Sequence, residues 1–265
     1  MTNLKPEGYK HVADPWEVLF QMKERERPVA AQVGAIDYVD DKPVWILVFP
    51  NYPGIKGYVP DQETGVDPSL ISRFVGQDIM VQIKGFDRDN KIIACSRKEM
   101  VNEAARGLKE HLSVGDKIPV TVKAIMMKGN TSTLVVDVGG GVLVDVPRSQ
   151  AVIRRSATLK AQYDIGETVG ALVVSVDPLQ VSIRAARPDP WSQADYKRGQ
   201  FISGTVYRIA NGNVLIEPDL TPGILGLAPL PLLGEIQKGY RVSCKVRYFS
   251  VDQRKLHLYL VNRLL

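Results

Sequence analysis

Residues 55–98 read IKGYVPDQETGVDPSLISRFVGQDIMVQIKGFDRDNKIIACSRK. A Gly-Tyr-Val-Pro tetrad at 57–60 precedes a polar, turn-rich insert, and Val75-Gly76 then leads into alternating apolar residues. A charged turn at 87–91 separates this run from a last apolar strand, which ends in Ser96-Arg97-Lys98. Short apolar runs between turn residues are typical of a small β-barrel. Weaker copies of this plan recur twice downstream, so the stretch predicts the organisation of the rest of the chain.

The sequence around this stretch completes a five-strand pattern. Asp14-Pro15-Trp16 predicts a helix start, because Asp can cap a helix and Pro is tolerated at its first position. Five short strands are then predicted at 29–35, 44–49, 56–60, 79–83 and 91–95, with a loop or helical turn between the third and the fourth. This is the strand order of a Greek-key OB barrel.

The same pattern can be measured three times along the chain. The predicted first strands centre on Val33, Val122 and Val206, which are 89 and 84 residues apart. The predicted third strands end in proline 27, 25 and 23 residues further on, and a glycine precedes each fourth strand. Coincident spacing at several landmarks indicates an internal repeat.

The sequence therefore predicts a mainly β protein of three tandem five-stranded OB-fold barrels joined by short α-helical linkers. The predicted segments are an arm and helix at 1–27, barrels at 28–97, 115–187 and 200–265, and helical linkers at 98–114 and 188–199.

Composition limits the class of protein. The chain has 265 residues, 45% of them hydrophobic and 24% charged, which suits a globular protein with buried cores. No apolar run reaches the ~18 residues that span a bilayer, and Cys95 and Cys244 are expected to be buried, reduced thiols. We therefore expect a cytoplasmic protein without a membrane partner. The net charge is −2 over residues 1–100, +3 over 101–188 and +4 over 189–265, and a basic excess of this kind fits a polyanionic partner.

The motifs of the first repeat resemble the S1 RNA-binding domain. The resemblance rests on Gly57-Tyr58-Val59-Pro60, Val75-Gly76, the turn at Asp87 and Ser96-Arg97-Lys98. The third repeat is similar through Gly204-Thr205-Val206 and residues 246–258, whereas the middle repeat departs from the pattern at 145–147 and 183–185. A helix-linked series of such domains resembles the bacterial ribosomal protein S1 family over about residues 15–261. The resemblance implies single-stranded RNA binding on a face made mainly by strands two, three and five, without catalysis.

Sequence-tolerant binding of a single strand requires aromatic faces for the bases and cations along the phosphates. In the first repeat, Trp45 and Tyr58 are the stacking candidates, although Trp45 can equally be a core residue because its neighbours are apolar on both faces. The phosphate candidates there are Lys84, Arg88, Lys91 and Arg97.

The other two repeats offer mainly cations. Arg148, Arg154 and Arg155 lie in the middle repeat, where the alternative is a solvated loop and a domain that serves as a spacer or a docking module. In the third repeat, alternation places Lys245, Arg247 and Phe249 on one face of the fourth strand and Val246 and Tyr248 on the other. A solvated basic face is the alternative there to an RNA track. The candidates of the third repeat are Tyr207, Arg208, Lys245, Arg247, Arg254, His257 and Tyr259.

Two functional hypotheses follow. The first is non-catalytic binding of single-stranded RNA, with single-stranded DNA as an alternative ligand, in translation or the handling of messenger RNA. The second is an adaptor that uses its barrels to dock on the ribosome or another protein assembly. The sequence predicts no enzyme, cofactor, metal site or small-molecule substrate, since Gly139-Gly140-Gly141 lacks the Lys-Ser/Thr of a P-loop and the three histidines share no ligand spacing. If RNA binds, stacking is expected mainly at 55–98 and charge attraction mainly at 200–263.

Overall fold

The structure is a computed structural model that describes residues 14–129, 131–231 and 235–264. The predicted arm at 1–13 lies outside the described residues. The predicted helix start is confirmed, because the Asp14 carboxylate accepts a hydrogen bond from the backbone N–H of Trp16 and Pro15 takes the first helical position. The helices are α1 (Pro15–Glu24), α2 (Lys98–His111), α3 (Arg148–Ala151) and α4 (Pro190–Gln193).

The first five strands form a closed barrel in the order β1-β2-β3-β5-β4. Strands β3 and β5 pair in parallel and complete the closure, while the other neighbours are antiparallel. Buried positions alternate with more exposed ones along much of β1, β3 and β4, as the apolar spacing predicts. The strands are β1 (Val29–Val39), β2 (Lys42–Val48), β3 (Lys56–Pro60), β4 (Asp78–Asp87) and β5 (Ile92–Ser96).

The middle repeat forms a five-stranded sheet in the order β10-β9-β6-β7-β8. Among the described residues its two outer strands, β8 and β10, do not pair, so the sheet is not closed. The glycines at 139–141 make the tight connection between β7 and β8. The strands are β6 (Lys117–Lys128), β7 (Thr131–Asp137), β8 (Leu143–Pro147), β9 (Thr168–Val176) and β10 (Leu179–Ser182).

The third repeat is again a closed barrel, in the order β11-β12-β13-β15-β14. Gly226 is required where β13 crosses the core, because a Cβ at this position would lie 2.5 Å from a methyl carbon of Leu258. The strands are β11 (Phe201–Ala210), β12 (Asn213–Pro218), β13 (Gly226–Pro229), β14 (Arg241–Ser250) and β15 (Lys255–Arg263).

The predicted fold class is confirmed: the protein is mainly β, with three five-stranded sheets of which two are closed barrels. One local expectation was wrong, since the short helix after Asp189 ends at Gln193 rather than at Gly199. Both thiols are buried, and burial raises the pKa of Cys95 and of Cys244 to about 12.

The chain divides into two compact units. One comprises the residues up to His111 together with Asp137–Leu143, and the other comprises Leu112–Val136 together with the residues from Val144 onward. No helix among the described residues is long and apolar enough to cross a membrane.

Candidate nucleic-acid interface

The outer face of the first barrel carries a row of five cross-strand neighbours, one from each strand. Ala35 pairs with Ile46, Ile46 with Tyr58, Tyr58 with Ala94, and Ala94 with Gly85. We call these five residues the first-barrel row. All of them are exposed or half-buried, and Tyr58 is the one aromatic side chain among them. The face of strands two, three and five is therefore largely aliphatic in this barrel.

The third barrel has a row with the same register but different chemistry. Arg208 pairs with Leu215, Leu215 with Leu227, Leu227 with His257, and His257 with Tyr248. We call these five residues the third-barrel row. The rings of Tyr248 and His257 lie edge to face, with 6.0 Å between their centroids. This row thus presents a cation, two aromatic rings and two aliphatic side chains to solvent.

A second aromatic surface lies beside this row on β11, β14 and β15. Phe201 pairs with Lys245, and Lys245 pairs with Tyr259 on the other side. The Lys245 ammonium lies 5.5 Å from the centroid of the Phe201 ring, and the Arg247 guanidinium lies 5.5 Å from that of Tyr259. Both distances are in the range of a cation–π contact. We call Phe201, Lys245, Arg247 and Tyr259 the third-barrel strip.

A bulge in β14 corrects the predicted alternation. The register shifts between Val246 and Tyr248, which places Arg247 and Tyr248 next to each other on the exposed side. Phe249 turns inward instead and stacks on Trp191, with 6.0 Å between ring centroids. A bulge adds one residue to a strand and thereby reverses the faces of all residues beyond it. Tyr248 is therefore exposed, although strict alternation would place it on the same face as Val246.

Two of the predicted binding residues of the first barrel are buried. Trp45 has no exposed surface, and its indole N–H donates to the carbonyl of Ile71 at 3.0 Å. Its ring packs on Phe74 with 5.2 Å between centroids. The core alternative for Trp45 is therefore correct, and a base has no access to its ring.

Arg97 is also buried, with 2% of its surface exposed. Its guanidinium donates to the carbonyl of Thr64 at 3.0 Å and to that of Gly141 at 2.8 Å. Burial lowers the pKa of Arg97, while the charge of Asp137 acts in the opposite direction. Arg97 thus holds two loops of its unit together, and the prediction that it contacts a phosphate was wrong because its donors are used internally.

The remaining cations of the first barrel differ in whether they form an ion pair. Lys84 forms an ion pair with Glu99. Arg88 and Lys91 are exposed in the turn between β4 and β5, where Asp87 accepts hydrogen bonds from Asn90. Arg88 and Lys91 therefore stay candidates, and Lys84 is a candidate only if it leaves its carboxylate.

Two of the three candidate arginines of the middle repeat use their donors within the protein. Arg148 donates to the carbonyls of Arg155 and Ala157 at 3.0 and 2.9 Å. Arg154 donates to the backbone carbonyl of Asp219 at 3.1 Å and pairs with its carboxylate. These internal contacts disfavour phosphate binding by Arg148 and Arg154, whereas Arg155 lines a cavity of the second unit.

Three further candidates lie around the third-barrel row. Tyr207 is half-buried at the bulge of β11, and Arg208 is exposed directly after it. Arg254 is exposed in the turn between β14 and β15, where it pairs with Asp189 at 2.6 Å. Of Arg208 and Arg254, only Arg254 forms an ion pair with a described residue.

Phe201 and Tyr248 are exposed surface residues that the predicted site omitted. Phe201 is 62% exposed, and its outward position follows from the burial of Ile202, Gly204 and Val206 on the same strand. Alternation alone could therefore have found Phe201. Tyr248 depends on the bulge, for which the sequence gives no clear signal. Among the residues that the structure describes, no group of three or more His, Cys, Asp or Glu side chains is placed to hold a metal ion.

Comparison with known proteins agrees with the S1 resemblance. The chain is 24% identical over 232 residues to the small ribosomal subunit protein bS1 of Streptococcus pneumoniae, which covers 78% of this chain and 55% of that protein. It is 28% identical over 227 residues to bS1 of Staphylococcus saprophyticus, which covers 77% and 56%. The chain thus spans about half the length of these curated relatives. No family model matches the sequence.

Among solved structures, a multidomain protein with nucleic acid binding domains from Streptococcus pneumoniae aligns with a TM-score of 0.25 and 14% identity. The alignment covers 91% of this chain and 75% of that one. The sequence similarity to bS1 is therefore the comparison that bears on this protein.

Proposed function

We propose that this chain binds single-stranded RNA without catalysing its conversion, and that the outer face of the third barrel is the main contact surface. The main observation in its favour is the third-barrel strip, where exposed rings and cations adjoin across three neighbouring strands and neither cation forms an ion pair with a described residue. Aromatic faces accept bases of any sequence, and cations between them neutralise the phosphates. The basic excess of residues 189–265 acts in the same direction.

The strip and the row together supply the interactions that such binding needs. Phe201, Tyr248 and Tyr259 are each exposed enough to stack on a base, and each stacked base is worth ~1–3 kcal/mol. Lys245, Arg247 and Arg208 lie between or beside these rings and are exposed. The relatives named above are ribosomal proteins, which supports RNA as the polyanion and translation or the handling of messenger RNA as the process.

Fluorescence anisotropy with an unstructured RNA oligomer across a salt series tests this proposal. The affinity should fall as salt rises, since neutralising Z phosphates of a single strand gives a slope of about −0.7Z in log K against log salt. The variant Lys245→Ala/Arg247→Ala should flatten that slope by about 1.4, whereas the control Lys160→Ala/Lys238→Ala removes two exposed cations elsewhere and should leave it nearly unchanged. Dissociation constants weaker than ~100 μM at low salt, or the absence of a salt slope, would contradict the proposal.

Protein docking is the second candidate function. The observation in its favour is the first-barrel row, whose aliphatic side chains suit an apolar partner better than a nucleic acid. Affinity capture with the intact chain, with and without nuclease treatment, separates the two functions. Ribosomal proteins retained after nuclease support docking, whereas partners lost with the RNA support binding through the nucleic acid.

A further inference from the structure

A cavity of about 340 Å³ lies within the second unit, between the middle sheet and the third barrel. Its volume falls in the range of about 300–1,000 Å³ that small-molecule sites occupy. Three arginines, Arg155, Arg184 and Arg187, line it together with apolar groups of the loop between β12 and β13 and of the segment before α4. We call this the inter-repeat cavity. It is distinct from the third-barrel strip, since the two share no residue.

The buried carboxylate of Glu217 fixes the walls of this cavity. Glu217 has no exposed surface, and its two oxygens accept hydrogen bonds from the backbone N–H groups of Arg155 at 2.8 Å, Ser156 at 2.7 Å and Gly223 at 2.7 Å. Two of these donors belong to the middle repeat and the third belongs to the loop between β12 and β13. A carboxylate that accepts several backbone hydrogen bonds holds those segments rigidly. The cavity is therefore a preformed feature of the fold.

A neighbouring ion-pair cluster strengthens the same junction. Asp219 pairs with Arg154 of the middle repeat and with Arg241 of the third barrel. Burial raises the pKa of Asp219, but hydrogen bonds from Ser203 and Arg241 outweigh this effect and leave the pKa below its ordinary value. The single charge of Asp219 thus partly neutralises Arg154 and Arg241, which do not line the cavity.

The three cavity arginines have no such neutralisation. None of their guanidinium groups forms an ion pair with a carboxylate of the described residues. Arg184 and Arg187 are exposed, and Arg155 is half-buried. Three uncompensated guanidinium groups around one concave surface favour an anion, and their planar donor forks match phosphate oxygens in particular.

Apolar side chains also line the cavity. Leu220 is 80% exposed at the rim, and Pro190 and Pro222 add ring faces. Inorganic phosphate would leave most of this volume unfilled and would not contact these groups. An anion with a flat ring body uses both kinds of lining group, since guanidinium planes stack on a nucleobase and the apolar groups cover its ring.

We propose that the inter-repeat cavity binds a nucleoside 5′-monophosphate, either as a free nucleotide or as the 5′-phosphorylated end of an RNA strand. The phosphate lies among Arg155, Arg184 and Arg187, and the base lies against Leu220 and the prolines. This extends the sequence-based expectation, which included no small-molecule ligand.

Isothermal titration calorimetry of the full chain with AMP, UMP, adenosine and inorganic phosphate tests the proposal. At least one nucleotide should bind with one site per chain, and adenosine and phosphate should each bind at least tenfold more weakly. The variant Arg184→Ala/Arg187→Ala should weaken nucleotide binding at least tenfold, because each exposed arginine contributes a charge-assisted contact. The control Lys160→Ala/Lys238→Ala removes the same charge and should bind as the unaltered chain does.

A second variant keeps the test independent of the arginines. Leu220→Asp changes an exposed side chain and places a negative charge at the rim, so it should abolish nucleotide binding while thermal unfolding stays unchanged. The proposal is overturned if no nucleotide binds at millimolar concentration, if phosphate binds as tightly as AMP, or if these variants bind normally.

Two RNA oligomers then distinguish the sources of the phosphate. In the Lys245→Ala/Arg247→Ala background, a 5′-phosphorylated oligomer should displace AMP if the cavity takes RNA ends, and its 5′-hydroxyl counterpart should not. If neither oligomer displaces AMP, the ligand is the free nucleotide. This background weakens RNA binding at the third-barrel strip, so displacement of AMP reports on the cavity. A failure of nucleotide binding can therefore be distinguished from a failure of RNA binding.

Discussion

The first and third barrels share a strand order, a parallel closing pair and bulges at matching positions, yet their outer faces differ in chemistry. Register makes the comparison position by position: Gly85 and Ala94 of the first-barrel row stand where the third-barrel row has Tyr248 and His257. Ala35 stands in the place of Arg208. One scaffold thus presents an aliphatic face in one repeat and an aromatic, basic face in the other, so the fold alone does not assign the binding surface.

The ends of the last strands differ in the same way. Ser96 ends β5, where its hydroxyl donates to the carboxylate of Glu63, and the equivalent position in β15 is Tyr259. Ser96 is buried and Tyr259 is 47% exposed. The first barrel therefore uses this strand to hold its own loops, whereas the third barrel leaves the strand open to a ligand.

The largest effect is expected at Arg97. Arg97→Ala removes the donor to the buried carbonyl of Thr64 and to the half-buried carbonyl of Gly141 and creates a cavity, so it should destabilise the first barrel by ~3–5 kcal/mol. Thermal unfolding followed by circular dichroism measures the loss. The matched variant Tyr259→Ala should change stability little, because its ring is exposed. Equal destabilisation by both variants would contradict the structural role of Arg97.

Charge reversal in the third-barrel strip should have the next largest effect. Lys245→Glu/Arg247→Glu replaces two attractions with two repulsions and should weaken RNA binding by about 100-fold at low salt. The control in the first barrel is Lys56→Glu/Arg88→Glu, which should weaken binding less than about tenfold. Anisotropy titrations compare the two variants, and a reversed order would move the interface to the first barrel.

Single aromatic truncations measure the stacking contribution of each row. Tyr248→Ala and Tyr259→Ala should each cost ~1–3 kcal/mol of RNA affinity with the fold intact. The first barrel offers Tyr58→Ala as the counterpart, whose loss of affinity should be smaller because both cross-strand neighbours of Tyr58, Ile46 and Ala94, are aliphatic. A larger loss at Tyr58 would restore the sequence-based expectation that stacking is concentrated in residues 55–98.

Transplanting the third-barrel chemistry should raise affinity by a smaller factor. A Cβ at Gly85 meets no atom closer than 3.8 Å, so Gly85→Tyr/Ala94→His can be accommodated on the outer face of the first barrel. One added stacking ring is worth ~1 kcal/mol, and the full chain should bind RNA about fivefold more tightly. Gly85→Ser/Ala94→Ser serves as the control. Unchanged affinity would show that the aromatic pair does not suffice for binding.

The two thiols should show almost no difference between the barrels. Burial raises the pKa of both Cys95 and Cys244 to about 12, from an ordinary value of 9.0, so the native protein holds very little thiolate at pH 8. Iodoacetamide should therefore alkylate each at least ~10-fold more slowly than in the unfolded chain. Mass spectrometry of the two cysteine peptides measures this, and fast labelling of one thiol would reveal local opening of its barrel.

The sequence predicted the parts of the structure that depend on local patterns. Apolar alternation, proline ends and glycine turns located the strands of all three repeats, because each strand must bury one face. The positions of the site residues depend on features that local patterns do not reveal. Trp45 lies inward with Leu47, which the sequence could not decide because the strand is apolar on both faces. The bulge at Arg247 exposes Tyr248 without altering the apolar pattern around it. The partners of Arg97 and Arg154 come from loops 33 to 65 residues away, which no spacing rule predicts.

Glu217 also bears on the history of the chain. Three similar repeats suggest gene duplication. A duplicated domain can be transferred alone only if its buried polar groups find hydrogen-bond partners within that domain. Glu217 belongs to the third repeat but takes two of its three backbone donors from the middle repeat. Separating the two repeats would leave this carboxylate without two of its three backbone donors, at a cost in stability. A transfer of the third repeat without the middle one would therefore need a compensating change at Glu217.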